Sequence, residues 1–111
     1  MAAVKEIERV RLGKTNVMVP RIGFGTTSLA DMPGTYGYSV DFDTAKATVN
    51  AILDGPAPYL DTSRNYGLGR SEERIGAVIR ERGGLPANAI LSTKLDRHND
   101  TRVFDRDQAR R

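Results

Sequence analysis

Residues 58–76, PYLDTSRNYGLGRSEERIG, with AILSTKLDR at residues 89–97, decide the fold. The first stretch opens on a short apolar run, passes through a turn-rich segment and then changes period. Ile75, Val78 and Ile79 recur at helical spacing. Ser71 reads as the N-cap of that helix, and Glu72 and Glu73 suit the positive end of its dipole. Pro58 is acceptable in a strand only as its first residue. AILSTKL, from Ala89 to Leu95, reads as the next strand after Gly83-Gly84. Strand, helix, strand in that order implies a right-handed crossover between parallel neighbours.

The same alternation extends upstream. From about Asp43 the pattern is helical, with Ala45, Val49, Ile52 and Leu53 on one face and Asp54-Gly55-Pro56 ending it. RIGFGTTSL, from residue 21, reads as a buried strand whose Gly23 and Gly25 admit something close to the backbone. DMPGTYGYS, residues 31–39, has the composition of a loop. Residues 7–20 read as a hairpin, with arms around Val10 and Leu12 and around Val17 and Val19, and a turn at residues 13–16. Downstream, a charged third helix begins near Phe104. The expectation is a hairpin followed by β, α, β, α, β and the start of α, in an α/β protein with helices outside a parallel sheet. Three such units are less than half of a closed eight-unit barrel, which takes roughly 250 residues.

Composition narrows the functional classes. The chain has 111 residues and a net charge of +3, with cations and anions interleaved. Its densest basic stretch, residues 102–111, also carries Asp105 and Asp107 and has Phe104 as its single aromatic. That is a solvated helix face rather than a nucleic-acid surface. With no cysteine there is neither a disulfide framework nor a thiolate metal site. The opening MAAVKEIERV places charges where a signal peptide needs an apolar run, and no later segment reaches membrane-spanning length. A cytoplasmic protein acting on small molecules, with no nucleic-acid or membrane partner, is the expectation.

Asp61, Tyr66 and Lys94 fall at the carboxyl ends of two successive strands. Singly, Asp61 is explained by turn chemistry, Tyr66 by loop packing and Lys94 by surface solvation. Together on one rim they make a proton donor for carbonyl chemistry. Other motifs fail. Gly13-Lys14-Thr15 lacks the glycine a phosphate loop needs at position 8, where Glu8 stands. Gly67-Leu68-Gly69 meets Glu72 where a dinucleotide fingerprint needs its third glycine, and it follows a loop instead of a strand. His98 has no second nitrogen ligand and reads as a solvated loop histidine.

From about Arg9 to Arg97 the chain resembles the amino-terminal part of an aldo-keto reductase. The resemblance rests on RLGKTNVMVPRIGFGTT, on DTSRNYGLGRSEERIG with Ser63 where that family's motif has alanine, and on LSTKL. YGLGRSE and LSTK are most similar to bacterial sugar and pyridoxal dehydrogenases. The resemblance implies a (β/α)8 TIM barrel, with residues 7–20 as its hairpin and residues 21–111 as about its first three β/α units. Ile22, Phe24, Leu60, Leu91 and Leu95 would point into that barrel, and the remaining part of the barrel would be needed for activity. It further implies a nicotinamide cofactor, NADP or NAD, and a carbonyl, alcohol or sugar hemiacetal substrate. Tyr66 becomes the general acid or base, Lys94 the cation supporting it, and Asp61 the carboxylate holding the lysine. Gly25, Thr26 and Thr27 would line the nicotinamide and its ribose, with Asp61 near the ribose and the 31–39 loop bordering the substrate. The family's catalytic histidine, at the end of a fourth strand, has no counterpart here. A cofactor-sensing, weakly catalytic regulatory subunit and a non-catalytic fragment are the alternatives.

Overall fold

Val10 faces Val19 across the hairpin. Strands β1 (Arg9–Arg11) and β2 (Met18–Pro20) run antiparallel, and Gly13 adopts a φ of 57° in the turn between them. Glycine takes that conformation with no Cβ clash. The computed structural model describes residues 5–98, 100–104 and 106–109. Its second sheet is parallel, in the order β3 (Phe24–Gly25), β4 (Tyr59–Asp61) and β5 (Ile90–Ser92). Phe24, Leu60 and Leu91 lie side by side in register, as do Gly25, Asp61 and Ser92.

Two long helices cover one face of this sheet. α2 (Phe42–Leu53) begins one residue earlier than its periodicity suggests, because Asp41 caps it by accepting from the Thr44 N–H at 2.7 Å. α3 (Arg70–Glu81) presents Ile75 and Val78 to the core. Leu60, fully buried, packs among Val49 and Leu53 of α2, Ile75 and Val78 of α3, and Ala89. That placement corrects the expected orientation. Phe24, Leu60 and Leu91 share a face by register, and it is the helix-covered face: Phe24 borders Ala51 and Ile52, and Leu91 borders Ile75 and Ile79. Ile22 and Leu95 are exposed. The opposite face therefore carries Tyr59, Asp61 and Ser92, since successive strand residues alternate.

Several elements differ from their sequence pattern for identifiable reasons. The strand expected over residues 21–29 shrinks to Phe24–Gly25, because the chain turns at Thr26 and coils into a 3₁₀ helix at Thr27–Ala30. Within the 31–39 loop, Pro33–Tyr36 forms a single helical turn, α1, closed by Gly37 at a φ of 77°. Gly23 does admit a close neighbour, the Tyr59 ring, which would lie 2.9 Å from a Cβ at that position, whereas Gly25 faces open space. The charged third helix is the short α4 (Arg106–Ala109); residues 105, 110 and 111 of that stretch lie outside the described residues. No helix of the described residues is long and apolar enough to cross a membrane.

Candidate active site

The alternation that buries Leu60 turns Asp61 to the other side of the sheet, toward Ser92. Ser92 Oγ donates to Asp61 Oδ1 at 2.9 Å. Lys94, two residues further along the same strand direction, returns to that face, and its Nζ makes three bonds. It donates to Asp61 Oδ2 at 2.9 Å, to the Thr62 carbonyl at 3.0 Å and to the Tyr66 hydroxyl at 3.0 Å. An ammonium has three N–H groups, so all of them are used. The ion pair is partly exposed, with the lysine and aspartate side chains 43% and 38% accessible, so it orients the groups more than it stabilises the fold.

The segment between Asp61 and Tyr66 is fastened to the end of β5 at several points. Thr62 N–H donates to the Ser92 carbonyl at 2.8 Å, and the Asn65 N–H donates to Asp96 Oδ2 at 3.1 Å. Ser63 Oγ donates to the same Asp96 oxygen. No sequence motif marks Asp96. The signal that pointed toward it was Ser63, standing where the resembled motif has alanine and so adding a hydroxyl that needs a partner.

Beyond Tyr66 the backbone enters left-handed conformations at Gly67 (φ 62°) and Leu68 (φ 55°), and Gly69 follows at a φ of 105°. This turn starts α3 at Arg70 and carries Ser71 inward. Ser71 is thus not an N-cap. It is buried, and its hydroxyl meets Thr26 Oγ1 at 2.8 Å and Thr62 Oγ1 at 2.7 Å. Thr26 Oγ1 also donates to the Asp61 carbonyl at 3.0 Å. The Thr26 side chain is thereby committed to the interior, while Gly25 is exposed and Thr27, half-buried, opens the 3₁₀ helix.

Gly67 packs directly on Ala30: a Cβ there would stand 2.6 Å from Ala30 Cβ and 2.9 Å from its carbonyl oxygen. Gly67→Ala is therefore expected to cost about 2 kcal/mol or more from the left-handed backbone and the clash together. Leu68→Gly, at an exposed left-handed residue, should cost far less. Urea unfolding of the two variants checks this, and equal losses would contradict it.

The charges are mutually supporting. The hydrogen bond from Lys94, followed by that from Ser92, holds the Asp61 carboxyl below its ordinary range despite partial burial. Asp61 first and Tyr66 second hold the Lys94 ammonium above its ordinary range. Because Asp61 is depressed, its contribution to stability is in place above the unfolded carboxyl value and is lost as pH falls through the lower folded value. Because Lys94 is raised, its contribution is in place below the unfolded lysine value and is lost as pH rises through the folded one. In Lys94→Met, the Asp61 carboxyl should titrate closer to its ordinary value when followed by carbon-detected NMR. An unmoved titration would contradict the pairing.

The Aldo/keto reductase family matches residues 21–110. The chain belongs to this family. Pyridoxal 4-dehydrogenase of Microbacterium luteolum is 35% identical over 94 residues, covering 85% of this chain and 25% of the relative. Aldo-keto reductase YhdN of Bacillus subtilis is 35% identical over 88 residues, covering 79% of this chain and 25% of the relative. Among solved structures, the holo form of aldo-keto reductase AKR11C1 from Bacillus halodurans superposes with a TM-score of 0.67 at 25% identity, covering 86% of this chain and 28% of that one. The chain spans about a quarter of the length of the curated relatives it matches. The fold is accordingly of the aldo-keto reductase α/β type, with a partial barrel-like topology in which the three parallel strands do not close into a barrel.

Proposed function

We propose that this protein is an NAD(P)-dependent oxidoreductase moving a hydride between nicotinamide and an aldehyde, ketone, alcohol or sugar hemiacetal. Residues 1–111 are read as the amino-terminal part of one (β/α)8 domain, with residues 7–20 as its hairpin and residues 21–111 as β/α units. The observation that carries this reading is the simultaneous bonding of Lys94 Nζ to Tyr66 and Asp61. Since the phenol oxygen accepts from Lys94, its own O–H is left to donate elsewhere, to a substrate carbonyl oxygen. When that proton leaves, the phenolate stays against an ammonium already held by Asp61 and the Thr62 carbonyl. In the reverse direction the same oxygen takes the proton of an alcohol.

Nicotinamide, when bound, supplies or accepts the hydride. The residues fit such a group at one point in particular. Gly25 lies in register beside Asp61, and no atom stands within 4 Å of where its Cβ would be, which leaves an open shelf next to the carboxylate. Gly25 and Thr27 would line the cofactor there, with Thr26 holding the strand end through its buried hydroxyl bonds and Asp61 reaching the ribose.

The test is to supply the complete barrel with NADPH or NADH and a panel of aldehydes, ketones and sugars, and to follow loss of reduced-nicotinamide absorbance. Cofactor binding with no turnover on any member would favour the cofactor-sensing role instead. Tyr36 and Tyr38, both exposed with ring centroids 6.1 Å apart, belong to the loop that follows the first strand of this rim. Replacing residues 33–38 with a glycine linker is expected to change relative rates across the panel. Equal losses for every substrate, with weakened cofactor binding, would argue against a specificity role for this loop.

A further inference from the structure

We propose that the cleft formed by Asn65, Arg97, His98 and Arg102 is a subsite for an anionic group, a carboxylate or phosphate, on a hydroxylated substrate. The inference rests on the oxidoreductase reading above and names the substrate class. The cleft has a volume of about 200 Å³, on the order of six waters at about 30 Å³ each. Two of its lining residues stand close in sequence to the proton-handling ones: Asn65 immediately precedes Tyr66, and Arg97 follows Lys94 by three residues.

Its lining is rich in donors. Among the described residues neither the Arg97 nor the Arg102 guanidinium has a carboxylate partner. Arg70, Arg74 and Arg82, by contrast, are engaged with carbonyls or with Asp54 and Asn50. His98 Nδ1 accepts from the Asp100 N–H at 3.2 Å, so the ring N–H lies on Nε2 and is a further donor. The turn is held in place. His98 N–H donates to the Val103 carbonyl at 2.9 Å, Arg102 N–H donates to the His98 carbonyl at 2.8 Å, and Arg102 itself sits at a φ of 59°. Asp96 in the same segment has its Oδ2 engaged by Ser63 and the Asn65 N–H.

Paired guanidiniums select planar or tetrahedral oxyanions. One acceptor stands among these donors: Asn65 Oδ1 is buried and has no hydrogen-bond partner among the described residues. A hydroxyl beside the anionic group would satisfy it. A sugar acid or a phosphorylated hydroxycarbonyl carries both features.

The experiment compares kcat/KM for matched pairs, glycolaldehyde against glycolaldehyde phosphate and D-glucose against D-glucuronate, in the complete barrel and in its Arg97→Gln/Arg102→Gln variant. One charged member should be favoured by at least about tenfold, or about 1.4 kcal/mol, mostly through KM. Whether it is the phosphate or the carboxylate identifies the source of the anion. That preference should fall toward unity in the double variant and shrink with added salt. Equal rates within both pairs, or a preference the double variant leaves intact, would overturn the subsite. If the complete barrel turns over no member, the oxidoreductase reading is the one that has failed. NMR titration of the Asn65 side-chain amide with D-glucuronate and inorganic phosphate then decides the subsite. Saturable shifts lost in the double variant uphold it, and their absence overturns it.

Discussion

In the complete enzyme, Tyr66→Phe is expected to lower turnover by about two to four orders of magnitude, the range a positioned general acid contributes, while leaving nicotinamide affinity nearly unchanged. The substitution removes one hydroxyl and keeps the ring, whose centroid lies 4.7 Å from Lys94 Nζ. Lys94 retains its bonds to Asp61 and the Thr62 carbonyl, so the loop and the ion pair persist. What disappears is the only transferable proton among these three groups that is both bonded to the cation and free to donate outward. Steady-state kinetics with a fixed carbonyl, together with cofactor binding by fluorescence, separate the two effects. An undiminished rate would sink the role of Tyr66. A lost rate with equally lost cofactor binding would show that the ring, not its proton, had been removed from service.

The residues of this site were legible because each stands at a change of pattern. Asp61 ends an apolar run, Tyr66 sits in a glycine-bounded turn and Lys94 closes the next apolar run, so topology alone brings them to one rim. Ser71 departs from its sequence pattern for an equally physical reason. A serine ahead of two glutamates has the composition of an N-cap, but the left-handed turn through Gly67, Leu68 and Gly69 starts the helix before it. Ser71 then falls on the inner side of the first turn, where Thr26 and Thr62 satisfy its hydroxyl. No local pattern encodes that meeting, since Thr26 lies 45 residues away. Asp96 was hidden likewise: its partners are a side chain and an amide on a different loop, and only the serine at position 63 hinted at it.

Leu60→Ala is expected to cost about 2–5 kcal/mol, as for other fully buried leucines whose cavity the surroundings only partly refill. Strand alternation requires Leu60 and Asp61 to face opposite ways, but it does not say which of them meets the helices. Packing settles that. Val49, Leu53, Ile75 and Val78 converge on Leu60 from two helices, leaving it fully buried, while Leu91 in the next strand remains 39% exposed despite sharing its face. Small domains are stable by only about 5–15 kcal/mol, so the loss at Leu60 is a large share of the total. Leu91→Ala, which gives up far less buried surface, should cost about 1 kcal/mol or less at about 25 cal/mol per Å². Urea unfolding of both variants at matched concentration compares them directly. A Leu91 loss equal to or greater than that at Leu60 would contradict this packing, placing the tightest part of the helix-covered layer over β5 rather than over β4.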